Sequence, residues 1–109
     1  MINKVNERDW KLFRKLLPEW QLRHMQSLLD DYAAIIAGDG DSGTRFWKLE
    51  RRLKRDIRHV GVQAEMRRSM MVFNLLNLLN EKAITMSDLE GFSDDVKTFI
   101  AERQEHPAQ

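Results

Sequence analysis

Apolar residues recur at helical spacing along almost the whole chain, and this periodicity constrains the fold more than any other feature. Side chains three and four positions apart share one face of an α-helix, so each such run predicts an amphipathic helix. Trp10, Phe13 and Leu17 begin the first run, and no segment alternates with period two for long enough to predict a strand. The sequence therefore predicts an all-α protein.

Capping residues, proline and glycine indicate where the first helices begin and end. Asn6 followed by Asp9 resembles a capping box. Pro18 is typical of the first turn of a helix, so we predict that a second helix begins there. Gly38 supplies a stop for that second helix.

The segment from Met70 to Leu79 is apolar almost all round, which is typical of a buried helix. We predict a central apolar helix near 62–81, around which the other helices pack. The 109 residues are enough for one hydrophobic core. The prediction is a compact bundle of five or six helices in a single domain, 1–109.

Composition excludes several classes of protein. The absence of cysteine excludes disulfides, thiol nucleophiles and thiolate metal sites. The most apolar run is too short to span a bilayer, and the N-terminus has no apolar signal region. We therefore predict a cytoplasmic protein without a membrane role.

Charge is distributed unevenly although its total is only +1. Residues 45–68 hold nine basic and three acidic side chains, whereas residues 69–109 hold three basic and seven acidic ones. The positive charge therefore lies mainly on one predicted helix, residues 44–60.

The helix at 44–60 has two faces when it is drawn at about 100° per residue. One face is apolar and is predicted to belong to the core; it comprises Phe46, Leu49, Leu53, Ile57 and Val60. The opposite side and its flanks are cationic and include a tryptophan; the candidate binding residues there are Arg45, Trp47, Lys48, Arg51, Arg52, Arg55 and Arg58.

Arginines beside an exposed aromatic ring suit phosphate contacts and stacking on a base, which favours a nucleic-acid partner. They suit an acidic protein surface equally well. A solvated face that only keeps the domain in solution is the third interpretation. The sequence leaves all three open, and with them the oligomeric state.

The stretch "GDGDSGTRFWKLE", residues 38–50, resembles a calcium loop because Asp39, Asp41 and Glu50 have EF-hand spacing. The sixth loop position requires glycine, and here it is Thr44. A helix N-terminus explains the same residues, so we expect Ser42 or Thr44 to cap a helix and expect no calcium site.

No set of residues has the spacing of an active site or of a metal site. His24, His59 and His106 have no ligand spacing to one another, and Ser27 beside His24 lacks a third orienting group. We therefore predict no enzymatic activity, no catalytic residue, no metal and no cofactor.

Four parts of the chain together resemble a known group of proteins: "NERDWKLFRKLLPEWQ", "RFWKLERRLKRD", the pair Gly61-Val62 and "ITMSDLEGFSDDVK". They are similar to small, uncharacterised all-helical proteins of Gram-positive gut bacteria and their mobile elements, many of which carry an automatic "multidrug transporter" label. The resemblance implies a compact helical fold and a mobile-element context, and it supplies no catalytic residues. The transporter label conflicts with the lack of a spanning segment.

We therefore predict a non-enzymatic binding or regulatory module that uses the basic face of the helix at 44–60, with nucleic acid as a candidate partner. The alternative is a module encoded by a mobile element or phage that binds a protein, and so inhibits or modulates a host nucleic-acid enzyme.

Overall fold

A computed structural model describes residues 5–104, which form four α-helices and two short 3-10 turns without a β-strand. The helices are α1 (Glu7–Ile36), α2 (Ser42–Asp56), α3 (Met71–Asn80) and α4 (Asp94–Gln104), and the 3-10 turns are Arg68–Met70 and Met86–Leu89. The predicted all-α class is confirmed. The predicted domain, 1–109, extends past the described residues at both ends and stays a prediction.

The predicted five or six helices are wrong for residues 5–104, which contain four, because the first two predicted helices are one and residues 86–89 form only a 3-10 turn. α1 continues through Pro18, which lies inside it. Proline leaves the carbonyl of Arg14 without its helical N–H donor, but Arg14 and Pro18 are both exposed, so water can satisfy that carbonyl. Leu17 and Trp20 on either side are buried, and their packing favours an unbroken helix.

The central apolar helix is shorter than the predicted 62–81. Residues 61–67 are irregular, a 3-10 turn follows, and α3 begins only at Met71. The amide of Asn74 donates a hydrogen bond of 3.0 Å to the carbonyl of Glu65, which holds the irregular segment against α3. α3 buries Met71, Leu75 and Leu78 fully in the core, but Phe73 on its other side is 56% exposed, so the helix is not buried all round as predicted.

We call the N-terminal half of α1, together with α3, the second 3-10 turn and α4, the body. Its core is one cluster of buried side chains that includes Phe13, Leu17, Trp20, Met71, Leu75, Leu78, Leu89, Phe92, Val96 and Ile100. Asp9 joins the first helix to the last, because its two carboxylate oxygens accept hydrogen bonds from the Ser93 N–H (2.9 Å) and hydroxyl (2.7 Å).

We call the C-terminal half of α1 (residues 21–36) together with α2 the arm. It has its own small cluster of buried side chains, Leu28, Tyr32 and Ile35, with Leu49 and Val62 partly buried against it. The fold measures 51 × 32 × 21 Å with a radius of gyration of 16.3 Å. A compact chain of this length has a radius near about 13 Å, so the bundle is elongated.

Within residues 5–104, no helix combines the length and the apolar character that crossing a bilayer requires.

Candidate functional site

The arm is an antiparallel helical hairpin, and three contacts show its direction. The Arg45 guanidinium donates to the carbonyl of Ile36, and Arg52 pairs with Asp31 at 3.0 Å. Further along, the Tyr32 hydroxyl donates a 2.7 Å hydrogen bond to Asp56. Later residues of α2 thus meet earlier residues of α1.

Asp56 is the polar centre of the arm. It is buried, yet it accepts hydrogen bonds from Tyr32 and Arg55 and lies 3.4 Å from the Arg52 guanidinium. Burial alone would raise the pKa of Asp56, but these hydrogen bonds and the two positive charges outweigh it and hold the pKa below its ordinary value. Burial and the bond to Asp56 raise the pKa of Tyr32 to about 12. Tyr32 therefore stays a hydrogen-bond donor at neutral pH.

Two rows of large apolar side chains on the arm remain open to solvent. Leu22, Leu29 and Ile36 recur every seventh residue on α1, and Phe46 and Leu53 follow on α2, with Ile57 directly after it. Each of the six is between 47% and 68% exposed. We call these six residues the arm face.

Helix geometry puts both rows on the same side of the hairpin. An α-helix turns by about 100° per residue. On each helix, the exposed row lies roughly 100° around the axis from the side chains that contact the other helix. The direction of this rotation is the same on both helices when each is viewed from its N-terminus. Because the two helices are antiparallel, equal rotations turn both rows to one side. The arm face is therefore a continuous apolar surface.

The prediction that Phe46, Leu49, Leu53, Ile57 and Val60 form a core face is wrong for most of its members. Only Val60 is buried, and Leu49 is partly buried in the seam with α1. The reason is tertiary: α2 packs on the C-terminal half of α1, while α3 and α4 pack on the N-terminal half. Within residues 5–104, nothing covers the other three.

The seven candidate binding residues divide into two groups. Trp47 is 57% exposed, with its ring edge-on to Phe46 at 5.2 Å, and Lys48, Arg51 and Arg58 are exposed without an ion pair among residues 5–104. The other three have structural partners: Arg45, Arg52 and Arg55.

Two of those three side chains link α2 to α1, whereas Arg55 pairs with its neighbour Asp56 on α2. The Arg45 guanidinium donates to the carbonyls of Gly40 and Ile36, and so caps the C-terminus of α1. Arg52 lies over the Tyr32 ring at 5.8 Å in addition to its pair with Asp31. A cationic pattern in sequence cannot distinguish such charges from free ones, because the distinction depends on the opposite helix.

The last residue of the acidic loop at 38–41 caps the N-terminus of α2. Asp41, rather than Ser42 or Thr44, caps α2: its carboxylate accepts a 2.7 Å hydrogen bond from the Thr44 N–H. That bond lowers the pKa of Asp41. Gly40 has φ +103°, so the positive φ lies at Gly40 and not at Thr44, the sixth position of the calcium pattern.

A group of side chains that spacing did not predict lies where the arm meets the body. His24 of α1 and His59, which follows α2, place their ring nitrogens 3.0 Å apart, and the Glu81 carboxylate is beside them. The residues are far apart in sequence, so no local motif could have revealed the group. His106, the third histidine, lies outside the described residues.

Comparisons with protein-family models, with curated protein sequences and with solved structures give no match to this chain. The site must therefore be interpreted from its own chemistry.

Proposed function

We propose that this chain is a non-enzymatic binding module whose arm face receives an amphipathic helix, rich in acidic residues, from a partner protein. The observation that supports this most strongly is the continuous exposure of six large apolar side chains on one side of a two-helix hairpin. Exposed apolar residues that occur singly are ordinary, whereas a contiguous patch is typical of interaction sites.

Helix docking suits the shape and chemistry of this surface. Two adjacent rows of apolar side chains on one side of a helical hairpin offer a surface on which a third helix can pack its own apolar row. Fully burying a Leu, Ile or Phe side chain contributes about 1.5–3 kcal/mol, so a partner that covers several of them gains substantially. Phe46 and the neighbouring Trp47 supply the aromatic anchors that interfaces favour.

Charge favours an acidic partner over a second copy of this chain. Residues 45–58 contain seven basic and two acidic side chains, and Lys48, Arg51 and Arg58 have no ion pair among residues 5–104. This excess attracts an acidic segment and speeds its association. Two arms packed face to face would instead bring two such excesses within a Debye length, about 10 Å at moderate salt.

Nucleic acid is the second candidate partner, and one observation favours it. Trp47 is exposed beside Lys48 and Arg51, the combination that phosphate contacts and base stacking require. It ranks second because Arg45, Arg52 and Arg55 are held by partners within the arm. In either case the proposal places the protein in the cytoplasm as a regulatory module.

Fluorescence anisotropy with three labelled probes tests these alternatives. The first is an amphipathic helical peptide of leucine and glutamate, the second is its leucine and lysine analogue, and the third is a set of single- and double-stranded oligonucleotides. Each is titrated with protein at about 50 and about 200 mM salt, the range over which phosphate-driven binding weakens strongly. We expect the glutamate peptide to bind, the lysine peptide not to bind, and the glutamate complex to survive the higher salt.

Matched variants assign the binding surface. Leu29→Gln and Leu53→Gln alter the arm face and should each weaken peptide binding by about 10-fold or more. Lys15→Gln changes an exposed residue on the N-terminal half of α1, outside the arm, and should have a small effect. Oligonucleotide binding that falls steeply with salt and is lost in Arg51→Gln would instead favour nucleic acid. A dimer in light scattering that Leu53→Gln dissociates would show that a second copy covers the face.

A further inference from the structure

Three potential metal ligands converge at the joint between the arm and the body. His24 comes from the middle of α1, His59 from the turn after α2, and Glu81 from the residue after α3. One ligand atom from each lies within 4.8 Å of the other two. His24 is buried, and His59 and Glu81 are partly buried. The cluster is separate from the arm face.

The backbone around the cluster holds the Glu81 carboxylate in place. Its two oxygens accept hydrogen bonds from the N–H groups of Val60 (2.8 Å) and Gly61 (3.0 Å). These bonds use one lone pair on each oxygen and leave others free. A ligand fixed in this way loses little conformational freedom when it binds an ion.

Gly61 brings the chain unusually close to His24. A Cβ atom at this position would lie 2.3 Å from the Cδ2 atom of the His24 ring, which excludes every other residue without a shift. The buried ring is therefore confined between its helix and the turn at 59–61. This confinement fixes the direction of its Nε2 atom.

The two imidazoles face each other through Nε2 of His24 and Nδ1 of His59, 3.0 Å apart. Two nitrogens bound to one tetrahedral zinc ion lie about 3.3 Å apart, so a small movement would admit an ion. A hydrogen bond in which one proton lies between the two ring nitrogens also accounts for this distance. A metal ion would replace that proton and use both lone pairs.

Negative charge around the pair favours a cation. Glu81 contributes one carboxylate, and Asp56 contributes a second, whose Oδ1 atom lies 3.9 Å from Nε2 of His59. At this distance Asp56 makes no hydrogen bond to the ring, but its negative charge adds to that of Glu81 beside the pair. When the Nε2 atom of His59 carries the ring proton, its Nδ1 atom is free to bind an ion.

We propose that His24, His59 and Glu81 form a binding site for one divalent transition-metal ion of the zinc class, with the fourth position open to water. Two imidazoles and one carboxylate are a donor set that zinc accepts, and the absence of thiolates is consistent with such a site. The ion would fasten the turn after α2 and the end of α3 to α1, and so fix the angle between arm and body. This proposal is independent of what binds the arm face.

Cobalt(II) provides the test, because its visible absorption reports coordination directly. Tag-free full-length protein is stripped with a chelator, titrated with Co²⁺, and then titrated with Zn²⁺. We expect one equivalent of Co²⁺ to give the visible bands of a low-coordinate site and Zn²⁺ to displace it. Zn²⁺ should also raise the melting temperature.

His59→Gln and Glu81→Gln should each reduce Co²⁺ affinity by at least about 10-fold and abolish the thermal shift. They are preferred to a change at His24, whose buried ring packs on Gly61 and could be needed for folding. Circular dichroism checks that the variants keep their helix content. His106→Gln is the matched control and should bind as the parent does. The proposal is overturned if the parent takes up no stoichiometric Co²⁺, if His59→Gln binds normally, or if His106→Gln loses binding.

Discussion

The body and the arm are built from the same kind of amphipathic helix but differ in what covers their apolar rows. In the body, α1 meets α3 and α4, so side chains such as Phe13 and Leu75 are fully buried. In the arm beyond His24, α2 is the one helix of residues 5–104 that packs along α1, and the arm face stays open. Periodicity therefore predicts which residues share a face, while the number of neighbouring helices decides whether that face becomes core.

α1 belongs to both regions and carries two apolar rows. One row is buried along the whole helix, from Trp10 to Ile35, and the other begins at Leu22 and ends at Ile36 on the arm alone. The second row occurs only in the part of α1 that has fewer neighbouring helices. Contact with solvent alone does not explain such a row of large apolar side chains. The partner helix that we propose for the arm face would account for it.

The largest expected effect contrasts a leucine from each region. Leu75→Ala should lower the free energy of unfolding by about 3–5 kcal/mol, because it leaves a cavity in the centre of the body. Leu53→Ala should change it by no more than about 0.5 kcal/mol, because that side chain is already 47% exposed. Urea denaturation of the two variants measures both values.

The comparison would fail if Leu53→Ala were as destabilising as Leu75→Ala in dilute protein, since the arm face would then be covered within one chain. A dependence of the Leu53→Ala effect on protein concentration would point to self-association instead.

A smaller effect contrasts two buried aspartates. Asp9→Asn should lower the free energy of unfolding by about 1–3 kcal/mol. Asparagine has one side-chain oxygen, so it cannot accept both hydrogen bonds that Ser93 donates to the two oxygens of Asp9. Asp56→Asn should act locally, because Asp56 holds α2 to α1 at Tyr32. We expect faster amide hydrogen exchange across α2, with a smaller shift of the global urea midpoint.

Equal shifts of the midpoint in the two aspartate variants would contradict this expectation, since they would show that arm and body unfold as one unit. Asp39→Asn is a suitable control, because that aspartate lies in the exposed loop between α1 and α2.

Local signals in the sequence predicted local structure well. Asn6 accepts the hydrogen bond from the Asp9 N–H that a capping residue should accept, at 2.8 Å, and the apolar segment after Met70 is helical and buried along one side. The break expected at Pro18 was wrong, because burial of the flanking side chains outweighs one missing hydrogen bond on the exposed side.

The candidate site was less predictable, because it depends on pairs of residues from different elements. The positions of the basic residues on α2 follow from spacing, but whether Arg52 is free depends on Asp31 in the opposite helix. Likewise, His24 and His59 meet only because the hairpin closes between them. Helical periodicity reports only on residues within one element, so a single sequence contains no signal for such contacts.

The smallest expected effect contrasts the N-terminal caps of two helices, α1, which begins in the body, and α2, which lies in the arm. Asn6 caps α1 with a neutral amide, whereas Asp41 caps α2 with a carboxylate whose pKa is lowered by the Thr44 hydrogen bond. The ordinary pKa of this carboxyl is 3.8, and folding lowers it. The cap therefore stabilises the folded state fully at pH values above 3.8, and this stabilisation is lost as the pH falls through the lower pKa of the folded state. In an NMR titration, the first turn of α2 should therefore fray in acid while the first turn of α1 persists. Asp41→Asn should remove this pH dependence, and fraying that persists in that variant would show that the cap is not its cause.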